Sequence, residues 1–313
     1  MALKPKVYID GQSGTTGLQI RERLEKRSDI ELLRIDEDKR HDSAERKKFL
    51  NAADVAFLCL PDDGAREAAA MVENPDTCII DASTAHRTAE GWTYGFPELS
   101  GEQRAAIQAS RRIANPGCHA TGLISSTAPL VRMGILPADY PLTCFSLTGY
   151  SGGGKKMIAE YEAPERDERL ASGRLYALTQ KHKHLPEMVK VCGLAHPPVF
   201  VPVVEDFYKG MATTILLQSA LLAKPVTGQE LRDALAEYYA GQRFVSVAPY
   251  GGDEPVLFAS TLAGTNQLRL VVAGNDGQIT VTALFDNLGK GASGAAVQNM
   301  NLVLGFDEGA GLE

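Results

Sequence analysis

Short apolar segments alternate with helical patterns along residues 6–133, and this alternation decides the fold class. Strand-like stretches lie at Lys6–Asp10, Ile30–Ile35, Val55–Leu60, Cys78–Asp81 and Arg112–Ala114. Helical spacing begins at Leu18, after Ser43 as a cap, at Gly64 (to Val72) and at Ala120 (to Met133). Strands that alternate with helices predict a Rossmann-type parallel sheet covered on both faces, which binds ligands at the carboxyl ends of its strands.

The pattern changes after about residues 137–141, where strand-like segments have fewer helices between them. These segments are Phe145–Thr148, Val199–Val204, Met211–Leu217, Leu268–Ala273 and Ile279–Phe285. A helix is predicted over Thr227–Tyr239, with Thr227 as its cap and Glu230 completing a capping box. The last apolar stretch, Ala292–Leu304, is again helical in pattern. We therefore expect a second, α+β domain with a mainly antiparallel sheet.

Composition narrows the function classes. The 313 residues correspond to roughly two domains. The net charge of −7 argues against nucleic-acid partners and against an anionic membrane surface. No apolar run is long enough to span a bilayer, and the first residues lack a signal peptide. The five cysteines contain no CxxC pair and the six histidines no HExxH, so we expect no disulfide framework, no metal and a reducing cytoplasm.

Three glycines directly follow the first predicted strand. Gly11, Gly14 and Gly17 form G-x-x-G-x-x-G before the first helix, with Ser13, Thr15 and Thr16 between them. Glycines at this point let backbone N–H groups approach a pyrophosphate closely. The spacing differs from the common G-x-G-x-x-G fingerprint, so dinucleotide binding and a plain tight turn both stay open.

The end of the second predicted strand carries groups that discriminate NAD from NADP. Asp36 favours NAD, because a carboxylate there accepts from the ribose 2′-hydroxyl. Arg34, Lys39 and Arg40 are the candidates that pair with a 2′-phosphate instead. The residues alone leave the choice between the two cofactors open.

Cys118 is the candidate nucleophile. The turn residues Asn115-Pro116-Gly117 end a strand, and an apolar helix begins immediately afterwards. A helix N-terminus lowers the pKa of a thiol, and this edge of the sheet is where the fold places its ligand. Most cytosolic cysteines are small buried hydrophobes, which is our prediction for Cys59, Cys78, Cys144 and Cys192. For Cys118, pattern alone leaves a buried hydrophobe and a nucleophile open.

A thiolate nucleophile needs a partner for proton transfer, and the chain offers six histidines. The candidates are His182 and His184 in KHKHLPE, His119 beside the cysteine, and the isolated His41, His86 and His196. His182 and His184 also fit a solvated basic face, because lysines flank them. No tyrosine has a lysine four residues later, which excludes the Tyr-x-x-x-Lys dyad of short-chain dehydrogenases.

A second glycine-rich segment, GYSGGGKK at residues 149–156, resembles a P-loop. Lys156 stands where the magnesium-binding Ser or Thr belongs, so nucleotide hydrolysis is rejected. The segment is rich in backbone amides and cationic. We expect Ser151, Gly152 and Lys155 in it to bind an anion such as a phosphate group.

Eight motifs in order resemble the N-acetyl-γ-glutamyl-phosphate reductases of arginine biosynthesis, in their shorter variant, which belong to the semialdehyde dehydrogenase family. They are GQSGTTG, LCLPDDGARE, IIDASTAHR, YGFPEL, NPGCHATG, SGGGKK, HKHLPE and FDNLGKGASGAAVQNMNLVLGF. They cover nearly the whole chain. NPGC is shared with the wider family, whereas the closing segment is much more specific to this reductase.

The resemblance implies an NADP-binding Rossmann domain over residues 1–117 and 288–313, and an α+β substrate and oligomerisation domain over 118–287. It implies reversible reduction of N-acetyl-glutamyl 5-phosphate to the 5-semialdehyde by a homodimer or homotetramer. Cys118 falls on the nucleophile, and His184, with His182 in the same motif, on the acid/base histidine. Asn287 falls beside the nicotinamide, and the cofactor set comprises the glycine loop, Arg34, Ser83 and Asn287.

The chain departs from the family at two places. His119-Ala120 stands where the family often has Tyr-Pro, and Ser-Thr-Ala-His-Arg at 83–87 replaces Ser-Ala-Asp-Phe-Arg. These departures leave the nucleophile unchanged and alter the rim of the pocket. The alternatives are another acyl-phosphate reductase, such as aspartate-semialdehyde dehydrogenase or the aminoadipyl relative, and a non-catalytic dinucleotide-binding regulator.

Overall fold

Two units divide the chain in the computed structural model, which describes residues 3–251 and 256–312. The first comprises the described residues through Pro116 and from Ala292 onward, and the second spans Gly117–Gly291. The sequence placed these boundaries after residue 117 and before residue 288. Within the described ranges, no helix has the length and apolar character needed to cross a bilayer.

The first unit contains a six-stranded sheet. Its elements up to the boundary are β1 (Lys6–Asp10), α1 (Thr15–Leu24), β2 (Glu31–Leu32), α2 (Ser43–Ala52), β3 (Val55–Leu58), α3 (Asp62–Met71), β4 (Cys78–Asp81), β5 (Thr93–Tyr94), α4 (Gly101–Ala109) and β6 (Arg112–Ala114). The strand order is β2-β1-β3-β4-β6-β5, and every neighbouring pair is parallel. Consecutive residues Val7, Tyr8 and Ile9 are all buried, so both faces of the sheet are covered.

The second unit contains a seven-stranded sheet. Its elements are α5 (Cys118–Arg132), β7 (Thr143–Gly149), α6 (Gly154–Tyr161), β8 (Arg174–Leu175), α7 (Leu185–Cys192), β9 (Val199–Glu205), β10 (Met211–Gln218), α8 (Gly228–Tyr238), β11 (Val245–Val247), β12 (Leu268–Gly274) and β13 (Gln278–Phe285). The order is β11-β12-β13-β10-β7-β9-β8. The pairs β11–β12 and β7–β9 are parallel and the others antiparallel. A final helix, α9 (Gly294–Leu304), belongs to the first unit.

One face of the second sheet packs on α5. Gly122 of α5 lies so close to β10 that an added Cβ would sit 2.4 Å from the Thr213 hydroxyl oxygen. On the opposite face, Phe145 and Leu216 are 39% and 43% exposed, whereas their strand neighbours Cys144 and Ile215 are buried. The sheet is therefore buried on one side and leaves apolar side chains exposed on the other.

The structure confirms the predicted fold class and corrects several local expectations. The stretch Ile30–Ile35 is a strand only at Glu31–Leu32. Asp42, not Ser43, caps α2, because its carboxylate accepts from the N–H groups of the next turn. The capping box of Thr227 and Glu230 is confirmed. The closing helix begins at Gly294 rather than at residue 292, after a π-helical turn at Gly289–Ser293.

Candidate active site

Cys118 is the first residue of α5. Gly117 caps the helix in an extended conformation (φ −79°, ψ 149°), and the first turn carries no acidic residue. The side chain of Cys118 is partly exposed. The positive end of the helix therefore acts on an accessible sulfur, an arrangement that favours the thiolate form.

The remaining four cysteines have a different environment. Burial raises the pKa of the Cys78 thiol to about 12 and raises the pKa values of Cys59, Cys144 and Cys192 further. Cys78, Cys144 and Cys192 are buried, as the sequence predicted, whereas Cys59 is partly exposed and lines a cavity beside the first glycine loop. None of the five cysteines is in a disulfide.

Backbone packs closely against the nucleophile. A Cβ added to Gly291 would lie 3.0 Å from the Cβ of Cys118. On the other side, the buried carboxylate of Glu187 accepts a hydrogen bond from the backbone N–H of Gly117 at 3.2 Å. Glu187 lies in the first turn of α7. These contacts fix the start of α5, and with it the position of the sulfur.

Three histidines lie together beside this helix start. The ring centroid of His119 is 5.4 Å from that of His182 and 5.8 Å from that of His184, and the last two are 4.6 Å apart. His184 caps α7, and its backbone N–H donates to Nδ1 of His182 at 3.1 Å. All three side chains are buried. Of the alternatives that the sequence left open for His182 and His184, the solvated basic face is therefore wrong.

His119 is fixed by hydrogen bonds at both ring nitrogens. Its Nδ1 lies 2.8 Å from the Ser146 hydroxyl, which lies 2.8 Å from that of Thr213. Its Nε2 lies 2.7 Å from the hydroxyl of Tyr176. Burial, and after it the charges of neighbouring His182 and Lys183, hold the pKa of His119 well below 6.5. His119 is therefore neutral at physiological pH.

Two residues predicted to have separate roles lie in contact. The side-chain amide of Asn287 donates to the Ser151 hydroxyl at 3.0 Å, and its oxygen accepts from the N–H of Gly210 at 2.8 Å. A Cβ at Gly152 would lie 3.4 Å from the Asn287 amide nitrogen. Lys155, in the first turn of α6, is exposed. Asn287 therefore braces the glycine-rich loop that carries the predicted phosphate anchor.

The first glycine loop is shaped by close backbone contacts. Gly11 has φ +85°, and a Cβ there would sit 2.4 Å from the carbonyl oxygen of Cys59. A Cβ at Gly17 would sit 2.5 Å from the carbonyl oxygen of Gly11. Gly14 caps α1 with no side chain in the way. Among the described residues, the buried Thr15 hydroxyl has no hydrogen-bond partner.

A cavity of about 340 Å³ opens beside this loop. Its lining includes Gly11, Ser13, Gly14, Arg40 and His41. A helix start with bare backbone amides, an unsatisfied hydroxyl and an adjacent arginine fits a dinucleotide phosphate.

The buried floor of the cavity is an ion pair. Arg46 contacts the Asp10 carboxylate at 2.9 Å, so this arginine is engaged within the protein. Arg34 pairs with Glu25 at 3.1 Å and Lys39 with Asp36 at 3.7 Å. Of the basic residues between β2 and α2, Arg40 and His41 line the cavity, and Arg34 and Lys39 do not.

Ser83 lies after β4 in a cluster around Asp81. The Ser83 hydroxyl donates to Asp81 at 2.7 Å, and Nδ1 of His86 lies 2.7 Å from the same carboxylate oxygen. The His86 ring stacks on Trp92 with centroids 3.9 Å apart. Two of the isolated histidines, His41 and His86, lie in the first unit.

Within residues 3–251 and 256–312, no group of His, Cys, Asp and Glu is placed to hold a metal ion.

Sequence comparisons identify the family. A profile described as "Semialdehyde dehydrogenase, NAD binding domain" matches residues 6–107, and one described as "Semialdehyde dehydrogenase, dimerisation domain" matches residues 118–287. A Nostoc sp. protein named N-acetyl-gamma-glutamyl-phosphate reductase 2 is 48% identical, covering 99% of each chain. A Chelativorans sp. protein named N-acetyl-gamma-glutamyl-phosphate reductase is 50% identical, covering 96% of this chain and 98% of that protein. The chain belongs to the N-acetyl-gamma-glutamyl-phosphate reductase family.

Solved structures confirm the fold of this family member. Aspartate semialdehyde dehydrogenase II of Vibrio cholerae, complexed with ASA, aligns with a TM-score of 0.73 at 17% identity, covering 97% of this chain and 99% of that one. The enzyme of Candida albicans with NADP aligns with a TM-score of 0.67 at 15% identity, covering 96% and 99%. At 15–17% identity these structures show only that the fold is shared. Membership of the reductase family rests on the sequence comparisons.

Two residues of the candidate site were missed by sequence reasoning. Glu187 was visible in the HKHLPE motif, where only the histidines were considered. Tyr176 gave no local signal, because its contact with His119 joins positions 57 residues apart in the chain. A buried contact between residues this far apart in the chain becomes visible only in the folded structure.

Proposed function

We propose that this chain catalyses the reversible, NADPH-dependent reduction of N-acetyl-glutamyl 5-phosphate to N-acetyl-glutamate 5-semialdehyde with release of phosphate. The observation that carries the proposal is a partly exposed Cys118 at a helix start beside a buried histidine cluster. The substrate follows from the names of relatives at 48–50% identity over nearly the full chain.

Cys118 acts as the nucleophile. Its thiolate attacks the acyl carbon, the carbon–sulfur bond forms as the carbon–oxygen bond to phosphate breaks, and a thioester results. When bound, NADPH supplies the hydride that reduces the thioester carbon. The backbone N–H groups at the start of α5 stabilise the oxyanion, which collapses to the aldehyde and returns the sulfur as thiolate.

His184 exchanges the proton of Cys118. It takes the proton when the thiol ionises and returns it when the carbon–sulfur bond has broken. His182 holds its neighbour in place, since its Nδ1 accepts from the His184 backbone N–H. Lys155 and the amides around Ser151 and Gly152 bind the leaving phosphate.

The first unit binds NADP rather than NAD. The loop from Gly11 to Gly17, with the hydroxyls of Ser13, Thr15 and Thr16, receives the pyrophosphate at the start of α1. Arg40 and His41 in the cavity wall pair with the 2′-phosphate. Roles for Arg34, Ser83 and Asn287 at the cofactor are part of the same proposal.

The chain acts as a homo-oligomer in the cytoplasm. The profile over residues 118–287 is named for dimerisation. The exposed face of the second sheet, with Phe145 and Leu216, offers an apolar surface of the kind that subunit interfaces cover.

The decisive experiment is a substrate comparison with the purified protein. Phosphate-dependent NADP reduction is measured with N-acetyl-glutamate semialdehyde, with aspartate semialdehyde and with the N-acylated six-carbon homologue. The first aldehyde should give the highest kcat/KM. A higher kcat/KM for another aldehyde would identify that aldehyde as the substrate instead. If none of the aldehydes supports NADP reduction, the chain would be a dinucleotide-binding regulator.

Three variants test the mechanism. Cys118→Ser should fold, bind NADPH and lose nearly all activity, because a hydroxyl at this position is not ionised. His184→Asn should lower kcat far more than it weakens cofactor binding. If His182→Asn is the damaging change instead, the proton-transfer role belongs to that histidine.

A further inference from the structure

Tyr176 contacts His119, the residue that follows the nucleophile, although 57 residues separate the two in the chain. It follows β8, and its backbone N–H donates to the carbonyl of Pro202 at 3.2 Å. Burial first, and then the charge of Cys118, raises the pKa of its hydroxyl. The phenol therefore stays protonated and can donate a hydrogen bond.

A hydrogen bond holds the phenol itself, and the backbone that follows Tyr176 is fixed by its own contacts. The hydroxyl lies 2.7 Å from Nε2 of His119, the residue after the nucleophile. The next residue, Ala177, has φ +52°, a left-handed conformation that a non-glycine residue adopts only when its surroundings impose it. Gln180, also left-handed at φ +57°, fixes the segment by bonding both backbone groups of Phe200.

The polar chain behind Tyr176 takes one of two directions, which the tautomer of His119 decides. Thr213, Ser146, His119 and Tyr176 form consecutive contacts of 2.8, 2.8 and 2.7 Å. A neutral imidazole has one N–H and one acceptor nitrogen. When Ser146 donates to Nδ1, Nε2–H donates to the tyrosine oxygen, and the phenol's own proton is left for another acceptor.

We propose that Tyr176 is a further catalytic residue, whose hydroxyl donates a hydrogen bond to the carbonyl oxygen of the acyl group on Cys118. His119 is the positioning residue that orients this hydroxyl. The inference rests on the reductase function proposed above. It gives a role to His119, at a position where this chain departs from the residue usual in the family.

Two substitutions of His119 separate its two hydrogen bonds. In His119→Gln, the side-chain amide nitrogen reaches the place of Nε2 and still donates to Tyr176. In His119→Asn, the shorter amide reaches only the place of Nδ1, so it keeps Ser146 and loses the tyrosine. Both variants are neutral, as the imidazole is. Tyr176→Phe removes the hydroxyl itself, and Tyr238→Phe on α8, whose hydroxyl accepts from Arg132, is the matched control.

The experiment measures kcat and KM for phosphate-dependent oxidation of N-acetyl-glutamate semialdehyde. Loss of one oxyanion donor lowers kcat by roughly 100-fold or more, so we expect that from Tyr176→Phe, with NADP affinity unchanged. His119→Asn should lower kcat at least about tenfold, and His119→Gln should stay within about threefold of wild type. The double variant His119→Asn/Tyr176→Phe should be no slower than Tyr176→Phe alone, because both remove one interaction.

Three results would overturn the inference. One is a Tyr176→Phe enzyme as active as Tyr238→Phe. Another is a double variant whose loss is the product of the two single losses, which indicates independent structural effects. The third is equal loss in His119→Gln and His119→Asn. Wild-type protein without activity on the semialdehyde would instead refute the proposed function. Thermal melting identifies any variant that fails to fold, and Tyr176→Phe then still decides the catalytic role.

Discussion

Replacing Arg40 with alanine should weaken NADPH binding specifically. A charge-assisted hydrogen bond contributes about 1.5–3 kcal/mol. The Arg40 side chain is 40% exposed and shares its charge with Glu37, so solvent screening reduces this contribution to about 1–2 kcal/mol. Since about 1.4 kcal/mol corresponds to a tenfold change, the KM for NADPH should rise roughly 5- to 30-fold. The KM for NADH should not change, because NADH has no 2′-phosphate.

The assay is a steady-state comparison of both cofactors for wild type and three variants. Lys48→Ala is the matched control, because Lys48 lies on α2, is exposed and pairs with Glu45 outside the cavity. Arg34→Ala tests the other arginine of the sequence prediction. The reasoning is refuted if Arg40→Ala raises both KM values equally, or if Arg34→Ala alone affects NADPH.

Three further changes probe other parts of the chain. Lys155→Ala should raise the KM for phosphate in the reverse reaction, whereas Lys156→Ala, at the exposed neighbouring residue, should leave it unchanged. An unchanged KM in Lys155→Ala would refute the role of Lys155 as a phosphate anchor. Gly17→Ala places a methyl group 2.5 Å from a loop carbonyl and should weaken NADPH binding about tenfold. Gly101→Ala is the control, because the space around Gly101 is open and NADPH binding should not change. Isothermal titration calorimetry measures the NADPH affinity of both variants. The lowered pKa of His119 means that the unfolded chain binds an extra proton below about pH 6.5. Through this group, the free energy of unfolding should fall by up to about 1.4 kcal/mol for each pH unit below that value. Urea titrations at several pH values measure this dependence, and His119→Gln should reduce it. The same pH dependence in wild type and His119→Gln would contradict the prediction.

Much of the fold could be predicted because the pattern is strong. The strands Lys6–Asp10, Cys78–Asp81 and Arg112–Ala114 have the predicted bounds, since short apolar runs between turn residues leave little choice. Short edge strands such as β8 and β11 were missed, because two or three residues carry no period. Helix α7 was missed because its sequence was considered only for its histidines.

The site was predictable where chemistry is local. Asn-Pro-Gly before Cys118 indicates a helix start, and the structure has α5 beginning there. The environment of His119 was not predictable, because Ser146 on β7 and Tyr176 after β8 are distant from it in the chain. A different reason applies to Arg34 and Arg40. Which of these two nearby arginines lines the cavity depends on a loop conformation that no periodicity encodes.

The most direct test asks which atom carries the acyl group. The protein is mixed with N-acetyl-glutamate semialdehyde and NADP in the absence of phosphate, where the thioester has no acceptor other than water. We predict a burst of about one NADPH per subunit, and peptide mass spectrometry should find the N-acetyl-glutamyl group on Cys118. A burst that persists in Cys118→Ser, or an acyl group on any other residue, would contradict covalent catalysis by this cysteine.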